Sequence, residues 1–237
     1  MQKLHKRRIE AAISLWSEIL RGRILTRKGA VECLKTLYYR EKLEPIRGRT
    51  KIEIFDKELA TVYVVGKYGL GLGDEYEEVF AKIFTTEYKC EKVYMLIKSG
   101  ESARKALEEV FGNYDENTIF RVLRLVLTAV LLDFAPEEEL ILLLKAFEKD
   151  FPEYKHKFEG FKKFFVAFKL AEEIAAGKIK SRIEKEALKH ALCLKLGAIR
   201  AAPPDSLIRE IATKILGAEE FKVNDVLKPE GIEAKLP

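Results

Sequence analysis

Apolar residues recur at spacings of three and four along almost the whole chain, and this periodicity constrains the fold more than any other feature. In the first segment Ile9, Ala12 and Trp16 share one face of a predicted helix. The pattern predicts an all-α protein, either a multi-helix globular bundle or an irregular array of helical hairpins. The predicted helices cover 3–21, a segment that begins after Thr26, and about 74–85, 88–98, 102–111, 115–133, 137–149, 159–176, 181–196 and 204–216.

Capping residues and glycines predict where these helices begin and end. Ser102, Asp115 and Asp205 stand where N-caps belong, since their side chains accept bonds from the first free backbone N–H groups. The helix over 115–133 is apolar nearly all round and should be the central buried one. Helix ends are predicted at Gly22, Gly100, Gly112, Gly177, Gly197 and Gly217.

The segment 51–65 has two interpretations. Ile52, Phe55, Leu59 and Val62 fit a helical face, but 51–55 and 61–65 also alternate well enough to pair as a small β-hairpin. The intervening residues lack the Asn-Gly or Asp-Gly signal of a tight turn, which favours the helix.

The predicted organisation has three parts. Residues 1–66 form a basic N-terminal helical segment packed on the body, residues 74–217 form the main helical body, and residues 218–237 form a C-terminal arm or tail. No targeting segment is expected.

Composition excludes several classes of protein. With 34% charged residues and no uncharged apolar stretch longer than Leu125–Leu132, the chain has nothing near the roughly 18 apolar residues of a membrane span. Three scattered cysteines give no disulfide framework and favour a reduced cytoplasm. Gln2 is the only glutamine and asparagine is rare, while Glu and Lys are abundant, a pattern typical of hyperthermophiles.

Charge is distributed unevenly along the chain. Residues 1–51 carry a net charge of +9, residues 52–150 a net charge of −8 and residues 151–237 a net charge of +4. An asymmetry of this size indicates an anionic partner for the N-terminal segment. Two Arg-Gly-Arg triplets, at 21–23 and 47–49, strengthen the indication, because arginine binds phosphate through a bidentate fork.

The first functional hypothesis is therefore a noncatalytic nucleic-acid-associated protein that binds RNA or a ribonucleoprotein. Tyr38 and Tyr39 could stack on unpaired bases, although the position of Tyr38 indicates the core. The predicted nucleic-acid-binding residues are Arg7, Arg8, Arg21, Arg23, Arg27, Lys28, Lys35, Arg47, Arg49 and Lys51.

Two alternatives compete with this hypothesis. The basic side chains could pair along their own helices, or could dock on the acidic 52–150 region of the same chain or of a second copy. The chain could also be a protein-interaction or assembly subunit that uses its acidic middle and its tail to hold a protein partner.

Catalytic and cofactor signals are weak, and neither an enzyme, a cofactor nor a metal is predicted. The glycine-rich segment 66–73 matches no phosphate-binding motif and leads into acidic residues. His190 and Cys193 lie one turn apart, but no second pair completes a four-ligand site. Arg121 and Arg124 share one side of the central helix and could line an anion-binding cleft, although such arginines more often pair with internal acids.

The stretch from Lys57 to Gly71, with its sequence KELATVYVVGKYGLG, resembles part of a family of uncharacterised proteins from hyperthermophilic archaea. The helix-breaking segment 201–204 and the overall length are similar to that family too. The resemblance implies an archaeal, cytoplasmic protein. It implies no catalytic or binding residue.

Overall fold

The computed structural model describes residues 3–43, 51–197, 201–218 and 226–227, with the side chains of all of these except 3–5 and 51–57. Within these ranges the fold is all-α and no residue lies in a strand, as predicted. The α-helices are α1 (Lys3–Leu20), α2 (Arg27–Arg40), α3 (Lys51–Val64), α4 (Glu77–Ile83), α5 (Thr85–Lys98), α6 (Ala103–Phe111), α7 (Glu116–Leu131), α8 (Glu137–Asp150), α9 (Lys155–Ala175), α10 (Arg182–Lys195) and α11 (Asp205–Lys214).

The chain divides into two compact units. The larger unit, His5–Lys155, contains α2 to α8 and nearly all of α1. The smaller unit is His156–Pro237 together with the first four residues, and it contains nearly all of α9 and all of α10 and α11.

The local signals set most of the helix boundaries. Ser102 and Asp115 are N-caps as predicted, and each side chain accepts a bond from the N–H three residues on. All six glycines predicted to end helices have positive φ, the left-handed conformation that glycine adopts without strain. The prediction for Asp205 was wrong: Pro204 is the N-cap of α11 and Asp205 is its first helical residue, where its charge suits the helix dipole.

The segment 51–65 is helical, so the alternative of a small β-hairpin was wrong. Leu59 and Val62 of the predicted face are buried, and so is every residue from 58 to 66, on all sides of the helix. Burial of this part of the chain stabilises the helix, whereas the intervening residues offer no tight turn to stabilise a hairpin.

A π-helical turn, Val65–Gly69, continues α3. The indole N–H of Trp16 donates to the carbonyl of Val62 at 2.7 Å, the acceptor that an α-helix would pair with the N–H of residue 66. Beyond this point the N–H of Leu70 bonds to the carbonyl of Val65, five residues back. A side chain inserted into the helical hydrogen-bond ladder is an established cause of local helix distortion.

Two features form the core of the larger unit. Trp16, Tyr63, Phe80 and Phe84 form an aromatic cluster in which the Trp16 ring lies 5.1 Å from Phe80 and 5.2 Å from Phe84. Helix α7 packs against α3, α5 and α8, and half of its residues are buried, which confirms that it is a central helix.

Candidate nucleic-acid interface

The turn between α1 and α2 exposes two arginines of the first Arg-Gly-Arg triplet. Gly22 adopts φ 70° and ends α1, and the Thr26 hydroxyl caps α2 by accepting a bond from the N–H of Gly29 at 3.2 Å. Arg21 and Arg23 both contact the carboxylate of Glu18, at 3.2 Å and 3.1 Å. One carboxylate cannot neutralise two guanidinium groups, so the turn keeps an excess of positive charge.

The solvent-exposed side of α2 carries a second group of predicted residues. Lys28, Lys35 and Tyr39 follow one another at spacings of seven and four, which places them along one line of the helix. Tyr39 is 88% exposed, the most exposed large hydrophobic side chain among the described residues. We call these three residues the outer face of α2.

The charges on the outer face are only weakly balanced. Lys28 makes no ion pair or hydrogen bond to any other described residue. Lys35 approaches Glu32 at 3.6 Å, but both side chains are more than half exposed. Water and salt screen an exposed pair of this kind, so it leaves Lys35 available to another anion.

The opposite side of α2 faces the interior. Ala30, Leu34, Leu37 and Tyr38 are buried there, so Tyr38 belongs to the core as its position indicated. The Tyr38 hydroxyl donates to the carboxylate of Glu58 at 2.7 Å. Burial, followed by the negative charge of Glu58, raises the pKa of Tyr38 well above its usual value.

Arg8 is an interior residue. Its guanidinium donates to the same Glu58 carboxylate at 2.8 Å, the residue is only 5% exposed, and Glu58 is fully buried. An ionised carboxylate in the interior requires such a partner, because burying it alone costs several kcal/mol. The structure therefore places Arg8 in the core and away from the surface formed by Arg21, Arg23 and the outer face of α2.

Arg27 and Arg7 are also tied to acids of the same unit. Arg27 holds the buried carboxylate of Glu87 through both terminal nitrogens, at 2.6 Å and 3.0 Å. Arg7 is half-buried and donates to the backbone carbonyl of Glu41, whose carboxylate lies 3.7 Å away. Part of the basic segment thus docks on the acidic 52–150 region of its own chain, as one of the sequence alternatives stated.

The remaining predicted residues lie at the limits of the described ranges. Arg47 and Arg49 are outside the described residues, and Lys51 begins α3 with its side chain outside the described set. Sequence reasoning omitted the exposed Arg40 at the end of α2, and it placed Lys42 on one stripe with Lys28 and Lys35 without counting it among the binding residues. The sequence from Tyr39 to Lys42, an aromatic residue followed by charges of alternating sign, could have indicated that Arg40 is exposed.

The other sequence candidates do not assemble into a site. His190 is exposed and Cys193 is buried against the carbonyl of Ala201, and the described residues contain no group of three side chains that could hold a metal ion. Arg121 is exposed and Arg124 is half-buried. Burial raises the pKa of the Cys90 thiol to about 12, although the positive charges of both arginines act to lower that pKa.

The glycine-rich segment has a structural role. Gly66 lies against the Trp16 indole within the π-helical turn. Tyr63 and Tyr68, on either side of it, both donate to the buried carboxylate of Glu91, Tyr68 at 2.6 Å. Asp74 and Glu75 begin the helical turn that follows the segment, and their negative charges would repel a bound phosphate.

Comparisons with known proteins identify a family and no function. A family model described as an uncharacterised protein conserved in archaea (DUF2192) matches residues 2–227. No curated protein and no solved structure matches the chain. Among the described residues, no helix is long and apolar enough to cross a membrane.

Proposed function

The chain belongs to this family of archaeal proteins, whose function is not established, and we propose from its own residues that it is a noncatalytic nucleic-acid-binding protein. The ligand is RNA, free or in a ribonucleoprotein, and the contact surface is the outer face of α2 with Arg21 and Arg23. The composition supports a setting in the cytoplasm of a heat-adapted archaeon.

The observation that carries the proposal is the exposure of Tyr39 in line with two lysines. A tyrosine with 88% of its surface in water contributes little to the fold. An aromatic ring beside cations is the arrangement with which proteins bind single strands, because the ring stacks on a base while the cations hold the flanking phosphates. The spacing of Lys28, Lys35 and Tyr39 along one helix gives the strand a defined path.

The ion pairs of the predicted cations support a contact surface that includes Arg21, Arg23 and Lys35 and excludes Arg8 and Arg27. Arg8 and Arg27 are held by buried carboxylates, and moving either one to a ligand would leave Glu58 or Glu87 buried without its cation. Arg21, Arg23 and Lys35 contact only exposed or half-exposed acids. A phosphate competes easily with such exposed pairs, which are worth at most about 1 kcal/mol.

Fluorescence anisotropy with a labelled single-stranded RNA and its duplex tests the proposal. Tyr39→Ala should weaken binding to the single strand by about 5- to 150-fold, because one stacked base contributes about 1–3 kcal/mol. Tyr39→Phe should bind nearly as the wild type does. The duplex should bind more weakly than the single strand, since its bases are not free to stack.

The charge contribution is tested by salt titration. Lys28→Gln with Lys35→Gln should flatten the dependence of log K on log salt by about 1.4, two phosphate contacts at roughly 0.7 each. Lys145→Gln with Lys149→Gln is the matched control, since both lysines are exposed on α8 of the same unit. An absence of salt-sensitive RNA binding, or equal losses in the control pair, would contradict the proposal.

A further inference from the structure

Helix α10 exposes an apolar stripe to solvent. Ile183 is 79% exposed and Leu194 is 53% exposed, and Ala187 and His190 lie exposed between them. The four residues follow at spacings of four, three and four, the pattern with which one helix packs along another. We call Ile183, Ala187, His190 and Leu194 the α10 seam.

The opposite side of α10 fixes the orientation of the seam. Lys185, Leu192 and Cys193 are buried on that side. The ammonium group of Lys185 contacts the carboxylate of Asp205 at 3.0 Å, which ties α10 to the start of α11. The seam is therefore held on a preformed helix, so a partner would not have to order it on binding.

The start of α10 is fixed as well. The hydroxyl of Ser181 and the carboxylate of Glu184 form a reciprocal capping box. Backbone N–H bonds from Lys180 and Ser181 lower the pKa of Glu184, so this carboxylate is charged at neutral pH.

We propose that the α10 seam is a contact between two copies of this chain, packed antiparallel about a two-fold axis. In this arrangement Ile183 lies against Leu194 of the second copy, and Ala187 lies against His190 of the second copy. The Ala187–His190 layers then pair a small residue with a larger one, and the Ile183–Leu194 layers pair two aliphatic side chains. A parallel pair would set Ala187 against itself and His190 against itself, which leaves a gap in one layer and two imidazoles in the next.

Charge complementarity also selects the antiparallel pair. Glu184 and Lys195 lie on the same flank of the seam, near opposite ends of α10. Antiparallel packing brings Glu184 close to Lys195 of the second copy, and the symmetry repeats this contact. Parallel packing keeps the two charges apart, because equivalent ends of the helices then lie together.

The seam spans only three helical turns, so the contact should be at the small end of specific interfaces. We expect a reversible dimer whose population rises with protein concentration in the micromolar range. This inference concerns the smaller unit and does not depend on the nucleic-acid-binding proposal.

Sedimentation velocity of the nuclease-treated full-length protein, between about 1 and 300 μM, tests the inference. The wild type should shift from monomer to dimer. Ile183→Glu should raise the dissociation constant at least about tenfold, because it places a charge in the apolar contact. Leu142→Glu is the matched control, since Leu142 is an exposed leucine on α8 of the other unit.

A second pair of variants tests the direction of packing. Lys195→Glu should weaken the dimer, and adding Glu184→Gln should restore part of the association, because glutamine still completes the capping box without repelling the new carboxylate. A monomer at every concentration, or equal dissociation in the Leu142 control, would overturn the dimer. A failure of Glu184→Gln to restore association would overturn the antiparallel arrangement.

Discussion

Gly66 should not tolerate even a methyl group. A Cβ built at this position would lie 2.3 Å from Cε2 and Cζ2 of Trp16 and 2.5 Å from its Nε1. Real Cβ contacts of this kind do not occur, so either the indole or the π-helical turn must move. The glycine is required here by the close approach of Trp16 and not by a left-handed backbone.

The cost of Gly66→Ala follows from what holds the indole in place. Trp16 is fully buried, its ring contacts Phe80 and Phe84, and its N–H bonds to the carbonyl of Val62 at 2.7 Å. Overpacking a rigid core costs about 1–3 kcal/mol, and breaking the buried hydrogen bond adds about 1–3 kcal/mol. The higher helix propensity of alanine offsets about 1 kcal/mol of this cost, so we expect a net loss of roughly 1–5 kcal/mol in unfolding free energy.

Trp16 is the only tryptophan, so its fluorescence reports directly on this contact during denaturant unfolding. Gly66→Ala should lower the unfolding midpoint and shift the emission to longer wavelength. Gly73→Ala is the control in the same unit, because no heavy atom lies within 4 Å of the point that a Cβ would occupy there and its φ is −88°.

A double-mutant cycle with Trp16→Phe isolates the contact, since the smaller ring removes most of the clash. Gly66→Ala should cost much less in that background. Wild-type stability and emission for Gly66→Ala, or additive effects in the cycle, would refute the reasoning.

Three further predictions concern buried and capping groups. Arg8→Met should cost about 3–5 kcal/mol by leaving Glu58 without its cation, and Arg8→Met with Glu58→Leu should recover much of that loss in urea unfolding. Asp115→Ala should cost about 0.5–1 kcal/mol, because the exposed Asp115 caps α7. Bonds from Thr118 lower the pKa of Asp115 in the folded state, so the charge-dependent part of this stabilisation is fully present above about pH 4 and is lost as the pH falls through the lowered pKa. The difference in stability between the wild type and Asp115→Asn should shrink over that pH range. A thiol reagent at pH 8 should modify one cysteine, the half-buried Cys33, in the folded protein and all three after unfolding, because Cys90 and Cys193 are buried; fast labelling of more than one thiol in the folded state would contradict the structure.

Short-range features of the sequence were predictable and long-range ones were not. Gly112 and Ser102 act at the helix boundary where they stand, so a single sequence reveals them. Helical periodicity also separates Tyr38 from Tyr39, because a step of one residue turns the side chain by about 100° from core to solvent. The π-helical turn was missed because the side chain that bonds to the Val62 carbonyl, Trp16, lies on another helix 46 positions away.

The candidate interface shows the same division. Spacing alone predicts that Lys28 and Lys35 share a face, but it does not predict which arginines find internal acids. Arg8 and Glu58 are 50 positions apart, and Arg27 and Glu87 are 60 positions apart. No periodicity relates such partners, so the predicted set mixed residues of the core with residues of the surface.

Because some of the predicted cations lie in the core, there is a limit on how strongly RNA binding should depend on salt. The net charge of +9 on residues 1–51 includes Arg8 and Arg27. Both are paired with buried carboxylates, so they release no counterions when RNA binds. The exposed cations of the proposed contact surface are Arg21, Arg23, Lys28 and Lys35. With roughly 0.7 counterions released per phosphate contact on a single strand, these four allow a slope of log K against log salt no steeper than about −3. A much steeper slope would mean that cations beyond these four, such as Arg40, Arg47 and Arg49, also contact the strand. A slope near zero would remove the electrostatic basis of the proposed interface.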